Sequence, residues 1–74
     1  MAELSIGNHL RRLRFEHGEM TQDALARSAR VTRQTVISLE AGRYAPSLEL
    51  AMRLALVFGR SVDDVFYWRT PPAP

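Results

Sequence analysis

Apolar residues recur three and four positions apart through most of the chain, which is the spacing of one face of an α-helix. Capping residues divide this pattern into helical segments, which we expect at about 5–17, 21–29, 32–40, 47–58 and from 61 onwards. A hydroxyl side chain precedes each segment and can accept a hydrogen bond from a free backbone N–H. These caps are Ser5, Thr21, Thr32, Ser47 and Ser61. No segment alternates as a strand does, so the predicted fold class is all-α.

Residues 21–41 have the pattern of a helix-turn-helix, two short helices joined by a tight turn. Counted from Gln22, the fifth position lies where the helices cross and must be small; it is Ala26. The ninth position lies in the turn and is Arg30, and the fifteenth must be a buried branched residue and is Val36. In such a motif the second helix enters the major groove of DNA.

The stretch MTQDALARSARVTRQTVISLEAGR at 20–43 resembles the Cro and phage-repressor-like helix-turn-helix regulators, also called the lambda-repressor-like or XRE family. The flanking sequences LRRLR at 10–14, PSLE at 46–49 and FG at 58–59 resemble it too, so the likeness covers about residues 5–67. The resemblance implies a five-helix bundle of lambda-repressor-like type that represses or activates transcription. The family usually has glycine where this chain has Arg30, and a positive φ there would cost arginine about 1 kcal/mol or more.

The outward face of the third predicted helix matches the base-reading positions of this family. The residues expected to read bases are Thr32, Arg33, Gln34, Ile37 and Ser38. Arginine pairs bidentately with guanine and glutamine with adenine, and an isoleucine can contact a thymine methyl group. The alternative is an ordinary solvated helix face.

Contacts to DNA phosphates are expected around both helices of the motif. The start of the second helix has free N–H groups and a positive dipole end, which favour a phosphate. By family resemblance the Gln22 amide contacts the backbone there, and Arg43 should do so just beyond the third helix. Further candidates, for which a capping or surface role is the alternative, are Thr21, Thr35 and Tyr44, and Arg30 could reach a phosphate from the turn.

The resemblance assigns Arg14 and Glu40 to structure and not to DNA binding. It implies a partly buried ion pair that ties the first helix to the third. Removing one partner of a buried pair leaves the other charge stranded and costs about 3–5 kcal/mol.

The fourth predicted helix is unusually apolar, since only Glu49 and Arg53 are charged between positions 48 and 58. We assign to the core Leu48, Ala51, Leu54, Ala55 and Phe58. Apolar residues in excess of a core mark interfaces. The expected surplus, in and near the fourth and fifth helices, is Leu50, Leu56, Val57, Phe66, Tyr67 and Trp68. We therefore expect a homodimer whose two third helices lie about 34 Å apart on an imperfect palindrome.

Composition agrees with a nucleic-acid partner. All ten basic residues are arginine, and residues 8–43 carry a net charge of +3, from seven arginines and four acidic residues, while the remainder carries −1. The first residues lack a basic start followed by an apolar run, and no apolar run in the sequence is long enough for a membrane, so we expect a soluble cytoplasmic protein without a secretory signal. Residues 1–69 would form one domain, followed by a disordered proline-rich tail at 70–74.

A catalytic function is not expected. His9 and His17 lie eight positions apart without the cysteine or carboxylate pattern of a metal site. No phosphate-binding glycine loop or nucleophile motif is present in the sequence, so we expect no cofactor and no metal. The main alternative is a protein-interaction module, in which the fourth and fifth helices of an antitoxin or adaptor bind a toxin or a separate regulatory protein. RNA binding is a weaker alternative, because a helix that reads a groove suits B-form DNA.

Overall fold

The computed structural model describes residues 5–69, and this part of the chain forms five helices and a two-stranded sheet. In chain order the elements are β1 (Ile6–Asn8), α1 (Leu10–Glu16), α2 (Gln22–Ala29), α3 (Arg33–Glu40), α4 (Leu48–Val57), α5 (Val62–Val65) and β2 (Phe66–Trp68). The predicted tail at 70–74 lies outside the described residues. None of the helices between residues 5 and 69 has the length and apolar character needed to cross a bilayer.

Four helices, α2, α3, α4 and α5, begin directly after the hydroxyl residues that the sequence predicts as caps. Thr21 Oγ1 accepts the N–H of Ala24 at 3.0 Å, and Thr32 Oγ1 accepts the N–H of Thr35 at 3.1 Å. Ser47 does the same at the start of α4, where the N–H of Leu50 lies 3.2 Å from its Oγ. Because a cap fixes the residue at which a helix begins, it also fixes which side chains the helix turns inward.

Two predictions were wrong at the start of the described chain. The fold is not entirely α-helical, and the first helix does not begin after Ser5. Strand β1 occupies positions 6–8 and pairs antiparallel with β2, so that Gly7 lies opposite Tyr67. Helix α1 begins only at Leu10, whose N–H donates to Asn8 Oδ1 at 3.1 Å. A strand of three residues is too short to interrupt a helical spacing in the sequence, which is why the periodicity did not reveal it.

Phe66 was also misassigned, because it does not lie on the fifth helix but begins strand β2 (Phe66–Trp68). Aromatic side chains are favoured in strands, and this run finds a partner at the other end of the chain. Gly7 allows the close approach: a Cβ there would lie 2.5 Å from Cζ of Tyr67. The ring of Tyr67 also stacks on His9, with centroids 4.6 Å apart.

The core lies between the helices and one face of the small sheet. Its buried members are Leu10, Leu13, Leu25, Ala26, Ala29, Val36, Leu39, Leu50, Ala51, Leu54, Ala55, Phe58, Val65 and Phe66. The sequence analysis interchanged two leucines of α4. Leu48, assigned to the core, is 73% exposed, whereas Leu50, assigned to the interface, is 7% exposed. Leu50 shares the helix face of Leu54, four positions on, while Leu48 lies on the opposite face.

Candidate nucleic-acid interface

Helices α2 and α3 form the helix-turn-helix, and its crossing point is tightly packed. Ala26 is 2% exposed and Val36 is fully buried, as the spacing of the motif requires. In the turn, Arg30 has φ 60° and ψ 44°, the left-handed conformation that glycine would adopt without strain. The next N–H, that of Val31, donates to the carbonyl of Ala26 at 2.9 Å and closes the end of α2. The motif geometry is thus retained with arginine at the turn, at a strain of about 1 kcal/mol.

The outward face of α3 presents its first residues most openly. Thr32, Arg33 and Gln34 are all exposed. The Thr32 hydroxyl already caps the helix and lies 2.9 Å from the hydroxyl of Thr35. Within residues 5–69, by contrast, the side chains of Arg33 and Gln34 make no hydrogen bond or ion pair, so their donors and acceptors remain available to a ligand.

The other two predicted base-reading residues lie further along α3. Ile37 and Ser38 are half-buried, so each retains only part of its side chain at the surface. The backbone of Ser38 also helps to end the helix, because its carbonyl accepts the N–H of Arg43 at 3.0 Å. These positions can reach a ligand that α3 itself approaches closely, but they cannot extend to a distant one.

Unpaired positive charge surrounds α3. Arg30, Arg33 and Arg43 are exposed, and none has a carboxylate within ion-pairing distance in the described part of the chain. Arg27, one turn earlier on α2, differs because it is paired with Asp23. The arginines at the turn, at the start of α3 and just beyond its end therefore keep their charge for an external anion.

The predicted structural pair joins α1 to α3 with bidentate geometry. Arg14 Nε lies 2.7 Å from one oxygen of Glu40, and Nη2 lies 2.9 Å from the other. The two side chains are only 13% and 8% exposed. Arg14 Nη1 also donates to the carbonyl of Met20 at 2.8 Å, just before the cap of α2. One guanidinium thus fixes the position of both helices of the motif relative to α1.

Gln22 belongs to the same network, which the sequence did not reveal. Its Nε2 donates to Glu40 Oε1 at 3.2 Å, and its side chain is half-buried. One amide N–H is therefore used internally, and this contact orients the side chain at the start of α2. No spacing rule indicates a contact between residues 18 positions apart, so only the folded chain reveals it.

The remaining phosphate candidates differ in exposure and in whether their polar groups already make hydrogen bonds. Thr21 is exposed but its hydroxyl caps α2, and Thr35 is half-buried beside Thr32. Tyr44 is 38% exposed in the loop after α3. Gly42 lies at the start of that loop, and its φ of 74° is a conformation that does not continue a right-handed helix.

The apolar surface predicted for a partner subunit is only partly exposed. Leu56, Tyr67 and Trp68 are exposed, but Leu50 and Phe66 belong to the core and Val57 is half-buried. The sequence analysis missed two exposed apolar residues of α4, Leu48 and Met52. Leu48, Met52 and Leu56, spaced one turn apart and exposed by 73%, 56% and 80%, form a continuous apolar row that we call the α4 ridge. The i, i+4, i+8 spacing was the available signal.

Comparison with known proteins places this architecture in a family. A family model described as helix-turn-helix matches residues 10–65. The uncharacterized HTH-type transcriptional regulator MJ0272 of Methanocaldococcus jannaschii is 43% identical over 61 residues, covering 82% of this chain and 91% of the relative. The uncharacterized HTH-type transcriptional regulator YgzD of Bacillus subtilis is 40% identical over 60 residues, covering 81% and 89%.

A solved structure supports the same assignment. The clp gene regulator ClgR from Corynebacterium glutamicum superposes with a TM-score of 0.68 at 36% sequence identity. The match covers 74% of this chain but 57% of the ClgR chain, so the likeness concerns part of that protein. With the matched family model and the relatives, these findings show that the protein belongs to the Cro and repressor-type helix-turn-helix family of DNA-binding transcriptional regulators.

Proposed function

We propose that the protein is a dimeric, sequence-specific regulator of transcription, most simply a cytoplasmic repressor, that inserts α3 into the major groove of a palindromic operator. The observation that carries this proposal is the outer face of α3. Arg33 and Gln34 are exposed there without partners in the described chain, on a helix that is tied to α1 by a largely buried ion pair.

Arg33 and Gln34 would supply most of the sequence discrimination. Arginine fits the O6 and N7 acceptors of guanine, and the glutamine amide fits N6 and N7 of adenine, each worth about 1–3 kcal/mol against a wrong base. Ile37 would contact a thymine methyl group, and the hydroxyl groups of Thr32 and Ser38 would add contacts to base edges. The half-burial of Ile37 and Ser38 suits contacts deep in the groove, where α3 lies closest to the bases.

Phosphate contacts would fix the register of α3 without reading sequence. Gln22 is suited to this role because Glu40 orients its amide at the start of α2 while one N–H remains for a phosphate oxygen. Arg43 and Tyr44 would hold the backbone beyond the other end of α3. Secondary candidates are Thr21, Arg30 and Thr35.

The α4 ridge is the surface best suited to join two copies. It is apolar along its length, and Tyr67 and Trp68 add exposed aromatic area elsewhere on the surface. Glu49 and Arg53, which lie beside the ridge, carry opposite charges, so two antiparallel copies of α4 can match acid to base. A twofold axis of this kind agrees with a palindromic site whose half-sites lie about 34 Å apart. Leu50 and Phe66 would support the interface from within the core.

Selection from a random duplex library, followed by fluorescence anisotropy, tests the DNA-reading proposal. We expect a palindromic site, and we expect Gln34→Ala to lose about 1–3 kcal/mol of binding free energy, mainly by accepting other bases at one position. Arg12→Gln is a control because Arg12 is paired with Glu16 on α1, and it should leave the selected sequence unchanged. Weak binding that does not depend on Gln34 would contradict the proposal.

The α4 ridge also supports a second candidate function, an antitoxin or adaptor that binds a different protein. Light scattering on the purified chain separates the two. A dimer that Leu56→Asp dissociates supports the proposal above. A monomer with the intact ridge indicates that the ridge is reserved for another protein, such as a toxin.

A further inference from the structure

The described arginines fall into two equal groups. Those with a carboxylate within 4.0 Å are Arg12, Arg14, Arg27, Arg53 and Arg60. Those without one among residues 5–69 are Arg11, Arg30, Arg33, Arg43 and Arg69. Three members of the second group lie in the helix-turn-helix or just after it. Arg69 does not, since it follows β2, at a distance of 26 positions from Arg43 along the chain.

The small sheet holds Arg69 at the end of α3. The backbone N–H of Arg69 donates to the carbonyl of Ser5 at 2.6 Å, which fixes the residue beside β1. Strand β1 is in turn attached to α3, because Asn8 Nδ2 donates to the carbonyl of Leu39 at 2.9 Å. These two hydrogen bonds connect the end of β2 to the last turn of α3 through β1.

The guanidinium of Arg69 occupies the space over Gly42. A Cβ at Gly42 would lie 2.6 Å from Nη2 and 3.4 Å from Cζ of Arg69. Gly42 is the residue that ends α3, and Arg43 follows it directly. The charge of Arg69 is therefore placed at the loop for which we propose a phosphate contact, and the absence of a side chain at Gly42 makes room for it.

We infer that Arg69 binds a DNA phosphate together with Arg43, so that the sheet supplies a backbone contact from outside the helix-turn-helix. Two cations at one loop without a carboxylate partner in the described chain suit a polyanion, which would neutralise both. This inference rests on the proposed function. The alternative is purely structural: a cation at the C-terminal end of a helix is favoured by the helix dipole, and Arg69 would then only stabilise α3.

The salt dependence of DNA binding separates these two roles. Each phosphate contact contributes about 0.9 to the slope of log K against log salt. Arg69→Gln should reduce the slope by that amount and weaken binding about eightfold at 0.1 M salt. The loss should be equal on the selected operator and on a random duplex, because a phosphate contact carries no sequence information. Arg69→Lys should retain the slope, since a lysine still neutralises a phosphate.

Anisotropy titrations at several salt concentrations on both duplexes, with thermal unfolding of each variant, complete the test. Arg12→Gln removes one exposed, paired arginine and should leave the slope unchanged. An unchanged salt slope for Arg69→Gln would overturn the inference. So would a loss of DNA affinity in Arg69→Lys that matches a loss of thermal stability, because Arg69 would then act only by stabilising α3. Failure of the proposed function is distinct, because the wild-type chain would then bind the operator and the random duplex equally, while the salt slopes of the Arg69 variants would still report whether Arg69 contacts a phosphate.

Discussion

Helices α3 and α4 begin with the same type of cap and bury one face in the same core, yet their outer faces are opposite in chemistry. The outer face of α3 presents Arg33 and Gln34, whereas that of α4 presents the α4 ridge of Leu48, Met52 and Leu56. A polar face suits the hydrogen-bonding edges of DNA bases, and an apolar face suits another protein surface. The comparison teaches that the outer face of each helix, more than its place in the bundle, indicates its partner.

The two helices also differ in how they are held. Helix α4 is packed through apolar side chains such as Leu50 and Leu54. Helix α3 buries Val36 and Leu39 but is also fixed by the charged pair of Glu40 with Arg14. Because a buried charge is costly when its partner is lost, the position of α3 depends on two residues in a way that the position of α4 does not.

The largest expected effect is therefore on α3. Glu40→Ala should lower the free energy of unfolding by about 3–5 kcal/mol, because it leaves the Arg14 guanidinium buried without its carboxylate. Urea denaturation followed by circular dichroism measures this. Arg12→Ala, which breaks an exposed pair with Glu16, should cost less than about 1 kcal/mol.

A sharper version replaces both partners of the buried pair. The double variant Arg14→Met with Glu40→Leu should recover much of the stability lost in Glu40→Ala, since no charge is then stranded. If Glu40→Ala were no worse than the Arg12→Ala control, the pair would not be what holds α3.

The next effect concerns the α4 ridge. Leu56→Asp should weaken self-association by at least about 2 kcal/mol, because it would bury an unpaired carboxylate against the apolar surface of the second copy. Its fold should be unaffected, because Leu56 is 80% exposed. Sedimentation equilibrium measures the dimer constant. Phe15→Asp is the matched control: Phe15 is 57% exposed but lies on α1, outside the ridge. A dimer that survives Leu56→Asp, or that Phe15→Asp dissociates, would contradict the comparison.

Within the proposed DNA interface, loss of a base contact and loss of a phosphate contact should have different effects on sequence specificity and on salt dependence. Arg33→Ala should cost about 1–3 kcal/mol and relax specificity at one base pair. Arg43→Ala should weaken binding to all sequences alike and reduce the salt slope by about 1. Competition titrations against single-base variants of the operator distinguish these patterns. The account would be contradicted if Arg43→Ala relaxed specificity at one base pair while Arg33→Ala weakened binding to all sequences alike.

The smallest effect lies in the turn between α2 and α3. Arg30→Gly should raise the free energy of unfolding by up to about 1 kcal/mol, because glycine relieves the left-handed strain but adds freedom to the unfolded chain. Arg27→Gly, in the helical part of α2, should instead lower it by about 1 kcal/mol. Thermal unfolding of both variants measures the difference in sign. A loss of stability in Arg30→Gly would mean that the Arg30 side chain stabilises the turn.

Much of the helix-turn-helix could be predicted because its signals are local. The caps Thr21 and Thr32, the small residue Ala26 and the branched Val36 each satisfy a rule with a fixed spacing. The roles of the outward residues of α3 stay predictions, since chemistry suggests a contact without revealing the bound partner.

Helix α4 and the two strands were harder to predict from the sequence than the helix-turn-helix. Helix α4 is apolar on both faces, so its pattern did not distinguish Leu50, which is buried, from Leu48, which is exposed. Pairing of the strands joins residues near opposite ends of the chain, such as Gly7 and Tyr67. No local pattern encodes such a contact, and the same holds for the hydrogen bond between Gln22 and Glu40.

The most direct measurement of the central claim is the ratio of two dissociation constants at 0.15 M salt, one for the selected palindrome and one for a scrambled duplex of the same composition. A protein that reads bases through α3 should bind the palindrome at least about 10³-fold more tightly. A ratio near one would contradict the claim that α3 reads sequence and would leave only attraction between the arginines and the phosphates.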